Sequence, residues 1–512
     1  MDSFVFSLAT TGIGAGRAAG LVPLLIWALP LLGALVLALC PRTPNHVARA
    51  IGLGFSFSTL VLALGVLAQN AVPLSSFAFY AKVAHPLGVG LDLRLMPEAL
   101  LLVLLLGVVA PLSLLASWTV ERAHLFNTLF LLVQSAALGV FLSCNLVFWF
   151  LCWELSLFPA FFLIKLWGGP GAGRAAYQFV VYTIGGSAFM LLALAIIYAA
   201  TGTLHWDLLA LKGVALTSEI AGKFGAGAPS LVFLGILLGL AVKVPMFPFH
   251  TWLPATYAEA PPGVSMFLTA IMSKMGLWGV SFLLLRLFPT EFSVAAPYLL
   301  WLALAGIVLG AYAAIRQSDM KRMLAYSSVN HLGYCLLGFF AVARVADPVE
   351  IGVAASRDCA LAGVWLQMFN HGLSAAALFF CAGVLESRSG VRGLGDFGGV
   401  RRTAPVFATL CGVALFSSLG LPGLNGFAGE FMIFRGVFSL EPWVAAVATL
   451  GLLGTAVFLL TFWQRVFHGE FGVHTTSVSD LTRREILVLV PVAALMLLLG
   501  IWPQLLLNLL SY

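Results

Sequence analysis

Charged side chains are scarce in this sequence. Only 9% of the 512 residues are Asp, Glu, Lys or Arg, and 61% are hydrophobic, with a mean hydropathy of +1.04. A soluble globular domain carries about 25% charged residues, so this composition excludes a soluble globular protein. It predicts an all-α polytopic membrane protein, because helices satisfy all of their backbone hydrogen bonds within hydrocarbon.

The patterns of several other function classes are missing as well. The seven cysteines are scattered without a CxxC pair, which argues against a disulfide framework or a metal site. The net charge of +6 forms no basic patch, so we expect no nucleic-acid partner. The runs GIGAG and GVRGLGDFGG neither follow a strand nor open a helix, so we interpret them as flexible loops rather than phosphate-binding loops. Residues 21–39 are long enough to span a membrane, and we expect no cleavable signal peptide.

Long apolar stretches recur along the whole chain. About twenty apolar residues cross a bilayer, and on this basis we predict fourteen transmembrane helices. Their approximate bounds are 21–39, 50–69, 97–116, 124–142, 146–166, 175–200, 229–249, 262–287, 296–315, 322–342, 359–385, 404–434, 442–464 and 485–508.

The basic residues are distributed unevenly between the two sets of loops. Fifteen of the 26 Lys and Arg fall in one set and nine in the other, which leaves Lys243 and Lys274 within spans. The richer side of a membrane protein faces the cytoplasm. We therefore expect both termini and the longer loops 70–96 and 201–228 on the outer side of an energy-transducing membrane.

A few ionisable residues lie within the predicted spans. A charged side chain at the centre of a spanning helix costs about 2.5–3.5 kcal/mol on insertion scales. Such groups must face the bundle interior, form pairs or contact water, and they mark functional sites by default. They are Glu154, Lys243, Lys274 and Glu430, with His331 and His371 also near mid-span. The alternative is a set of static ion pairs that lock helices together.

Helix breakers accompany two of these charges. Pro245 and Pro248 follow Lys243 and cannot donate to the preceding turn. The glycine- and proline-rich segment 417–430, which ends on Glu430, interrupts a second span. Static ion pairing does not explain why charges lie beside broken helices, whereas transporter repeats place their sites there.

The spacing of these landmarks indicates an internal repeat. Lys243 and Glu430 are 187 residues apart, and Glu154 and His331 are 177 residues apart. Spans 4–8 and 9–13 would then be two five-helix repeats, and an odd number of spans makes them inverted in topology. The predicted divisions are 1–123 (helices 1–3), 124–287 (first repeat), 288–467 (second repeat) and 468–512 (helix 14).

Five long strings resemble one known family. WELSLFPAFFLIKLWGG, AVKVPMFPFHTWLPATYAEAP, SDMKRMLAYSSVNHLGYCLLG, FNHGLSAAALFF and LPGLNGFAGEF are similar to the antiporter-like membrane subunits of respiratory complex I. Two features favour one paralogue over its L-like and N-like sisters. The chain stops at Tyr512, without the long lateral helix of one sister, and Glu430 stands where both sisters have lysine. Tyr257 departs from the His of many members, which leaves the role of its loop open.

The resemblance implies a role for each candidate residue. Glu154 and Lys243 would form the switching pair of a first half-channel, and Lys274 would be the central proton carrier. His331 and His371 would pass the proton to Glu430, the terminal group of a second half-channel. His250 lies in a family string, but no role is carried over to it.

The resemblance also implies the setting. This chain would pump protons without transferring electrons, as a subunit of NADH:quinone oxidoreductase. NADH, FMN, iron–sulfur clusters and quinone would be bound by partner subunits, and no cofactor or metal is expected in this chain. The expected partners are the other membrane-arm subunits, including the L-like and N-like chains, and the lipid bilayer.

Three alternatives remain open. A multi-subunit cation/proton antiporter or a membrane-bound hydrogenase would share the fold and the row of charges. A membrane haem or quinone enzyme could use His331 and His371 as axial ligands, but it would leave Glu154, Lys243 and Lys274 without a role. A solute transporter would gather its charges around one pocket rather than along a row.

Overall fold

The computed structural model describes residues 15–69, 72–82, 90–345 and 351–510. These residues are almost entirely helical, apart from one antiparallel hairpin in which Tyr80 of the first strand pairs with Asp92 of the second. The elements up to the third long helix are α1 (Ala15–Leu39), α2 (Asn45–Ala68), β1 (Ala78–Lys82), β2 (Gly90–Arg94) and α3 (Pro97–Ala116).

The middle of the chain forms a helical group that contains the first break. Its helices are α4 (Ala123–Leu142), α5 (Leu146–Leu155), α6 (Leu157–Trp167), α7 (Ala172–Thr201), α8 (Trp206–Lys212), α9 (Val214–Phe224), α10 (Ala228–Lys243), α11 (Leu253–Glu259), α12 (Pro262–Phe267) and α13 (Ser273–Gly279). Wider π-helical turns, Leu268–Met272 and Val280–Leu285, flank α13. They join α12 and α13 into one helical rod, Pro262–Leu285.

The remaining helices contain the second break. They are α14 (Pro289–Ile315), α15 (Met320–Arg344), α16 (Ile351–Ser389), α17 (Pro405–Ser418), α18 (Asn425–Leu440), α19 (Pro442–Phe467), α20 (Arg483–Ile501) and α21 (Gln504–Leu510). Short 3₁₀ turns occupy Leu74–Ser76, Leu394–Asp396, Val400–Arg402 and Thr475–Ser477.

The number of spanning helices differs from the prediction. Each of the fourteen predicted stretches contains helix, but eleven described helices are long and apolar enough to cross a membrane, or twelve if α9 and α10, bent by 111°, form one span. The polar residues of α15 lower its hydropathy, and α17 and α18 are each shorter than a bilayer is thick. The all-α membrane class is confirmed, while the count of fourteen stays a prediction.

The interior of the bundle is formed by a few helices that others surround. The apolar part of α16 is 100% buried and that of Pro262–Leu285 is 94% buried, whereas that of α1 is 33% buried. Lys274 and His371 lie on these two interior helices. The side chains of Lys274 and His371 therefore face protein rather than lipid.

The first break begins earlier than predicted. The expected span 229–249 is helical only as far as Lys243, where α10 ends. Pro245 leaves the carbonyl of Ala241 without its usual donor, and the backbone N–H of Met246 donates to that oxygen instead, at 2.9 Å. The indole Nε1 of Trp252 donates to the carbonyl of Val242 at 3.0 Å. The helix end is thus satisfied by protein groups at membrane depth.

The second break is closed by a different set of contacts. Gly420 adopts a φ of +78°, which a residue with a side chain adopts only at a cost, and its N–H donates to the carbonyl of Ser417 at 3.1 Å. The hydroxyl of Ser417 donates to Oδ1 of Asn425 at 2.5 Å, across the gap between α17 and α18. Asn370 of α16 donates through Nδ2 to the carbonyl of Asn425 at 2.6 Å. Side chains therefore hold the ends of the two half-helices together.

An ionic cluster at one end of the bundle joins both predicted repeats. Arg392 donates to Glu259 at 3.1 Å and contacts Asp319 at 3.2 Å. Burial disfavours its charge, but these carboxylates outweigh that cost and raise the pKa of Arg392. Lys321, which the sequence places in a loop, is only 2% exposed and binds Glu386 at 2.5 Å. This cluster joins the end of α11, which follows the first break, to α15 and α16.

Candidate functional site

Lys274 lies at the centre of the bundle. Its side chain is 0% exposed on α13. The ammonium donates to the carbonyl of Thr269 at 2.8 Å, and its Nζ lies 2.7 Å from Nδ1 of His371. No carboxylate among the described residues lies within 4.0 Å of this ammonium. The nearest side-chain partner of the lysine is therefore an imidazole rather than a carboxylate.

The two histidines extend this contact to the second broken helix. The rings of His371 and His331 are 5.5 Å apart between centroids and are tilted by 43°. Nδ1 of His331 lies 3.0 Å from Oε1 of Glu430. Lys274, His371, His331 and Glu430 thus form a row across four neighbouring helical elements, with His371 rather than His331 next to Lys274.

A small cavity with both polar and apolar lining lies beside the histidines. Ser327, Ser328 and Ser418 line it together with both imidazoles, and it has room for about one water molecule. The Nε2 atoms of His331 and His371 are buried and have no hydrogen-bond partner among the described residues. A cavity of this size leaves no space for a porphyrin between the rings, so the axial-ligand alternative does not fit the site.

The first half of the predicted site is arranged differently. Lys243 is 2% exposed, and its ammonium donates to the hydroxyl of Ser156 at 3.1 Å. It also lies 5.0 Å from the centroid of the Trp153 ring, in a cation–π geometry. Ser156 occupies the bend between α5 and α6, which brings its hydroxyl to the end of α10.

Glu154 does not contact Lys243 directly. No ion pair within 4.0 Å joins them in the part of the chain that the structure describes. The Glu154 side chain is half-buried, and its Oε1 is buried with no hydrogen-bond partner there. Glu154 therefore lies on α5 and Lys243 at the end of α10, and their charged groups do not form an ion pair.

Apolar packing separates the two halves of the row. The end of α10 packs closely on α13, because a Cβ added to Gly276 would lie 2.5 Å from Cγ2 of Val244. A Cβ on Gly279 would lie 2.3 Å from Cδ2 of Leu240. Lys243 and Lys274 share no hydrogen bond. The structure thus brings Lys274, His371, His331 and Glu430 together in one row. The other two predicted residues, Glu154 and Lys243, lie outside this row.

Two residues with open roles lie near the row. His250 stacks on Phe247, with 5.5 Å between the centroids, and its Nδ1 is buried with no hydrogen-bond partner among the described residues. Tyr257, which stands where many family members have His, donates its hydroxyl to the carbonyl of Leu268 at 3.1 Å. Tyr257 therefore supports the rod that carries Lys274.

Sequence reasoning missed the uncharged residues that hold the charged ones. Ser156 is two positions after Glu154, and its hydroxyl contacts Lys243. Gln367 donates through Nε2 to Oε1 of Glu430 at 3.2 Å. Gln367 precedes His371 by four residues, so both lie on one face of α16. That spacing was a usable signal, whereas nothing in the sequence indicated the contact of Ser156.

Comparison with known proteins identifies the family. A family model described as NADH:quinone oxidoreductase/Mrp antiporter, transmembrane, matches residues 143–456. The chain belongs to this family. The matched region contains both broken helices and all six predicted site residues.

Two similar proteins match nearly the whole chain. NADH-quinone oxidoreductase subunit M of Rhodobacter capsulatus is 32% identical, over 94% of this chain and 93% of that protein. A chain of respiratory complex I from Thermus thermophilus with bound NADH is 28% identical, with a TM-score of 0.81, and the match covers 96% of this chain and 100% of that one. The predicted resemblance to the antiporter-like complex I subunits is confirmed.

A third likeness concerns the fold alone. A chain of the Mrp complex from Dietzia sp. DQ12-45-1b has a TM-score of 0.81 at 20% identity, over 96% of each chain. The same arrangement of helices therefore occurs in that chain. In the described part of this chain, no group of three or more His, Cys, Asp and Glu side chains is placed to hold a metal ion.

Proposed function

We propose that this chain is the proton-translocating membrane-arm subunit of an NADH:quinone oxidoreductase. It would couple quinone reduction elsewhere in the complex to proton movement through two half-channels. The observation that carries this proposal is the row from Lys274 through His371 and His331 to Glu430, in which every neighbour is a group that can bind a proton. The relatives named as NADH-quinone oxidoreductase subunits support it.

The residue types of the row suit proton transfer. Imidazole titrates closest to neutrality of all side chains, so it accepts and releases a proton without a large free-energy step. The Lys274 ammonium can pass a proton to Nδ1 of His371 across 2.7 Å, and His331 can pass one to Oε1 of Glu430 across 3.0 Å. Water in the neighbouring cavity would connect the unpartnered Nε2 atoms.

The first half would act as a switch. A carboxylate about 4 Å from an ammonium stabilises it by roughly 4 kcal/mol at an effective dielectric of about 20. Glu154 would hold the proton on Lys243 when it approaches and favour release toward Lys274 when it withdraws. In this structure the ammonium contacts Ser156 instead, which corresponds to the separated arrangement.

The division into two inverted repeats, 124–287 and 288–467, belongs to the same proposal. Each broken helix places its charged residue against the equivalent earlier span. Lys243 contacts Ser156 in the second span of the first repeat, and Glu430 contacts His331 in the second span of the second repeat. This correspondence supports the repeat assignment.

The setting is proposed on the same grounds. The chain would lie in an energy-transducing membrane with both termini on the outer side, next to L-like and N-like membrane-arm subunits. NADH, FMN, iron–sulfur clusters and quinone would be bound by partner subunits. This chain would contribute proton transfer alone.

Replacement of Lys274 by alanine in the intact complex tests the proposal. We expect proton translocation coupled to NADH oxidation in proteoliposomes to fall by about 10²-fold or more, because the central proton carrier is lost. Lys165→Ala is the matched control, since Lys165 is exposed at the end of α6 and its ammonium contacts Tyr177 and Phe161, away from the row. Native translocation by an assembled Lys274→Ala complex would refute the proposed function.

The fold shared with the Mrp complex supports a second candidate, a subunit of a cation/proton antiporter. Purification of the chain with its native partners separates the two. A complex that oxidises NADH and pumps protons favours the first. Sodium-driven proton flux without NADH oxidation favours the antiporter.

A further inference from the structure

The two carboxylate oxygens of Glu430 have unequal surroundings. Oε1 lies 3.0 Å from Nδ1 of His331 and accepts a hydrogen bond from Nε2 of Gln367 at 3.2 Å. Oε2 faces the second break, since a Cβ added to Gly420 would lie 2.8 Å from it. One oxygen is therefore held toward the histidines and the other toward the interrupted backbone.

Gln367 is held firmly in this position. Its side chain is 2% exposed, on the interior helix α16. A Cβ added to Gly429 would lie 2.9 Å from Cα of Gln367 and 2.7 Å from its Oε1, so the two helices approach closely here. The Oε1 atom of Gln367 has no hydrogen-bond partner among the described residues. The hydrogen bond to Glu430 is thus the polar contact that this buried amide makes.

We propose that Gln367 is a positioning residue for proton transfer from His331 to Glu430. It holds Oε1 against the imidazole and stabilises the carboxylate form of Glu430, while Oε2 remains at the break. This inference rests on the proposed function, because it assigns a role within the same proton row.

In the transfer step one proton moves from His331 to Glu430. The His331 imidazolium gives its Nδ1 proton to Oε1 of Glu430, so an N–H bond breaks and an O–H bond forms. His331 becomes neutral and keeps the proton on Nε2, and the carboxylate becomes a neutral acid. A hydrogen bond to an ionised acceptor is roughly twice as strong as one to a neutral acceptor. The amide of Gln367 therefore loses part of its interaction when Glu430 is protonated, which favours onward release of the proton.

Gln367→Leu in the purified, intact complex tests this role. We expect proton translocation in proteoliposomes to fall by about tenfold, the effect of losing one hydrogen bond to a charged group. Infrared difference spectra give a readout that a purely structural role would not change. The carboxyl band of protonated Glu430, identified by its absence in Glu430→Gln, should be stronger than in the native complex at the same pH.

Gln134→Leu is the matched control. Gln134 is also a buried glutamine, 0% exposed, and it donates to the carbonyl of Ser56 at 3.2 Å and to the hydroxyl of Thr59 at 3.1 Å, away from the row. Its Oε1 is likewise buried without a partner in the described chain. This variant should leave both translocation and the Glu430 band unchanged. An equal loss in both variants would overturn the proposal.

Gln367→Glu tests the same role if the leucine variant disturbs packing, since glutamate has nearly the same shape as glutamine. A second carboxylate beside Glu430 would share a proton with it, so we expect slower translocation and a stronger carboxyl band. Native translocation and a native band in this variant would overturn the positioning role. If Lys274→Ala abolishes translocation while both Gln367 variants remain native, only the inference about Gln367 fails.

Discussion

The two broken helices carry charged residues of opposite sign, Lys243 and Glu430, but the contacts of these two residues differ. At the first break the Lys243 ammonium contacts a hydroxyl at 3.1 Å and an aromatic ring at 5.0 Å, both uncharged. At the second break the Glu430 carboxylate contacts a histidine at 3.0 Å and an amide at 3.2 Å. The first charge is stabilised without a proton acceptor, whereas the second is in direct contact with one.

This difference supports separate tasks for the two breaks within the proposed function. Ser156 and Trp153 contact Lys243, and no ion pair with Glu154 forms among the described residues, so in the proposed switch the proton affinity of the lysine depends on the approach of Glu154. Glu430 needs no such movement to receive a proton, because His331 is already within hydrogen-bond distance. The first break is therefore suited to switching and the second to transfer.

The largest effect is expected from removal of the acid at the second break. Glu430→Gln keeps the shape and the hydrogen bonding of the side chain but cannot carry a proton. Proton translocation in proteoliposomes should fall by about 10²-fold or more. Glu441→Gln, at the end of the same helix, where Glu441 pairs with Arg344 at 2.7 Å, should have little effect. Equal activity of the two variants would remove the distinction between the breaks.

A double-mutant cycle tests the switch at the first break. Glu154→Gln and Lys243→Met should each reduce translocation by about tenfold or more, because each removes one member of the pair. The double variant should be no slower than the worse single variant, since residues that act as a unit are not additive. Additive losses would show that Glu154 and Lys243 act independently.

A comparison of alanine variants at two glycines distinguishes the effect of backbone strain from the effect of crowding Glu430. Gly420 and Gly423 both have positive φ angles, +78° and +93°. A Cβ on Gly420 would meet Oε2 of Glu430 at 2.8 Å, whereas a Cβ on Gly423 would have nothing within 4 Å. Both alanine variants should destabilise the protein by about 1–2 kcal/mol, but only Gly420→Ala should slow translocation several-fold. Thermal unfolding and proton translocation of both complexes measure the two effects.

The smallest effect is expected at Ser156. Ser156→Ala removes one hydrogen bond to the Lys243 ammonium, worth about 1.5 kcal/mol, or roughly tenfold in an equilibrium, and the remaining contact with the Trp153 ring offsets part of that loss. Translocation should therefore fall by less than this factor. Ser135→Ala, which removes a contact with the carbonyl of Trp27 at 3.0 Å, is the control. A loss as large as that of Lys243→Met would mean that the hydroxyl itself carries the proton.

Part of the site could be predicted because a charged residue within a long apolar stretch can be recognised from the sequence alone. Glu154, Lys243, Lys274 and Glu430 stand out within apolar stretches, where insertion scales penalise each of them. Lys321 shows the limit of this signal. The sequence predicts it to lie in a loop, yet it is 2% exposed, because Glu386 from another helix pairs with it. Pairing between distant segments cannot be read from local hydropathy.

The positions of the breaks followed from the backbone chemistry of proline and glycine, but their closure did not. The capture of the Ala241 carbonyl by Met246 and the bond between Ser417 and Asn425 depend on how the chain turns after each helix ends. The count of spans depends on the same detail, since α17 and α18 are each too short to cross a membrane.

The sequence by itself determined the membrane class, the two interrupted helices and the ionisable residues that lie within apolar stretches, because hydropathy and helix-breaking chemistry are local properties. Only the tertiary structure decided which of those residues meet. Lys274, His371, His331 and Glu430 come from four different helical elements and lie in one row, while Glu154 and Lys243 stay apart. Helix packing sets those distances, and it depends on small residues such as Gly276 and Gly429 whose contacts lie far away in the chain.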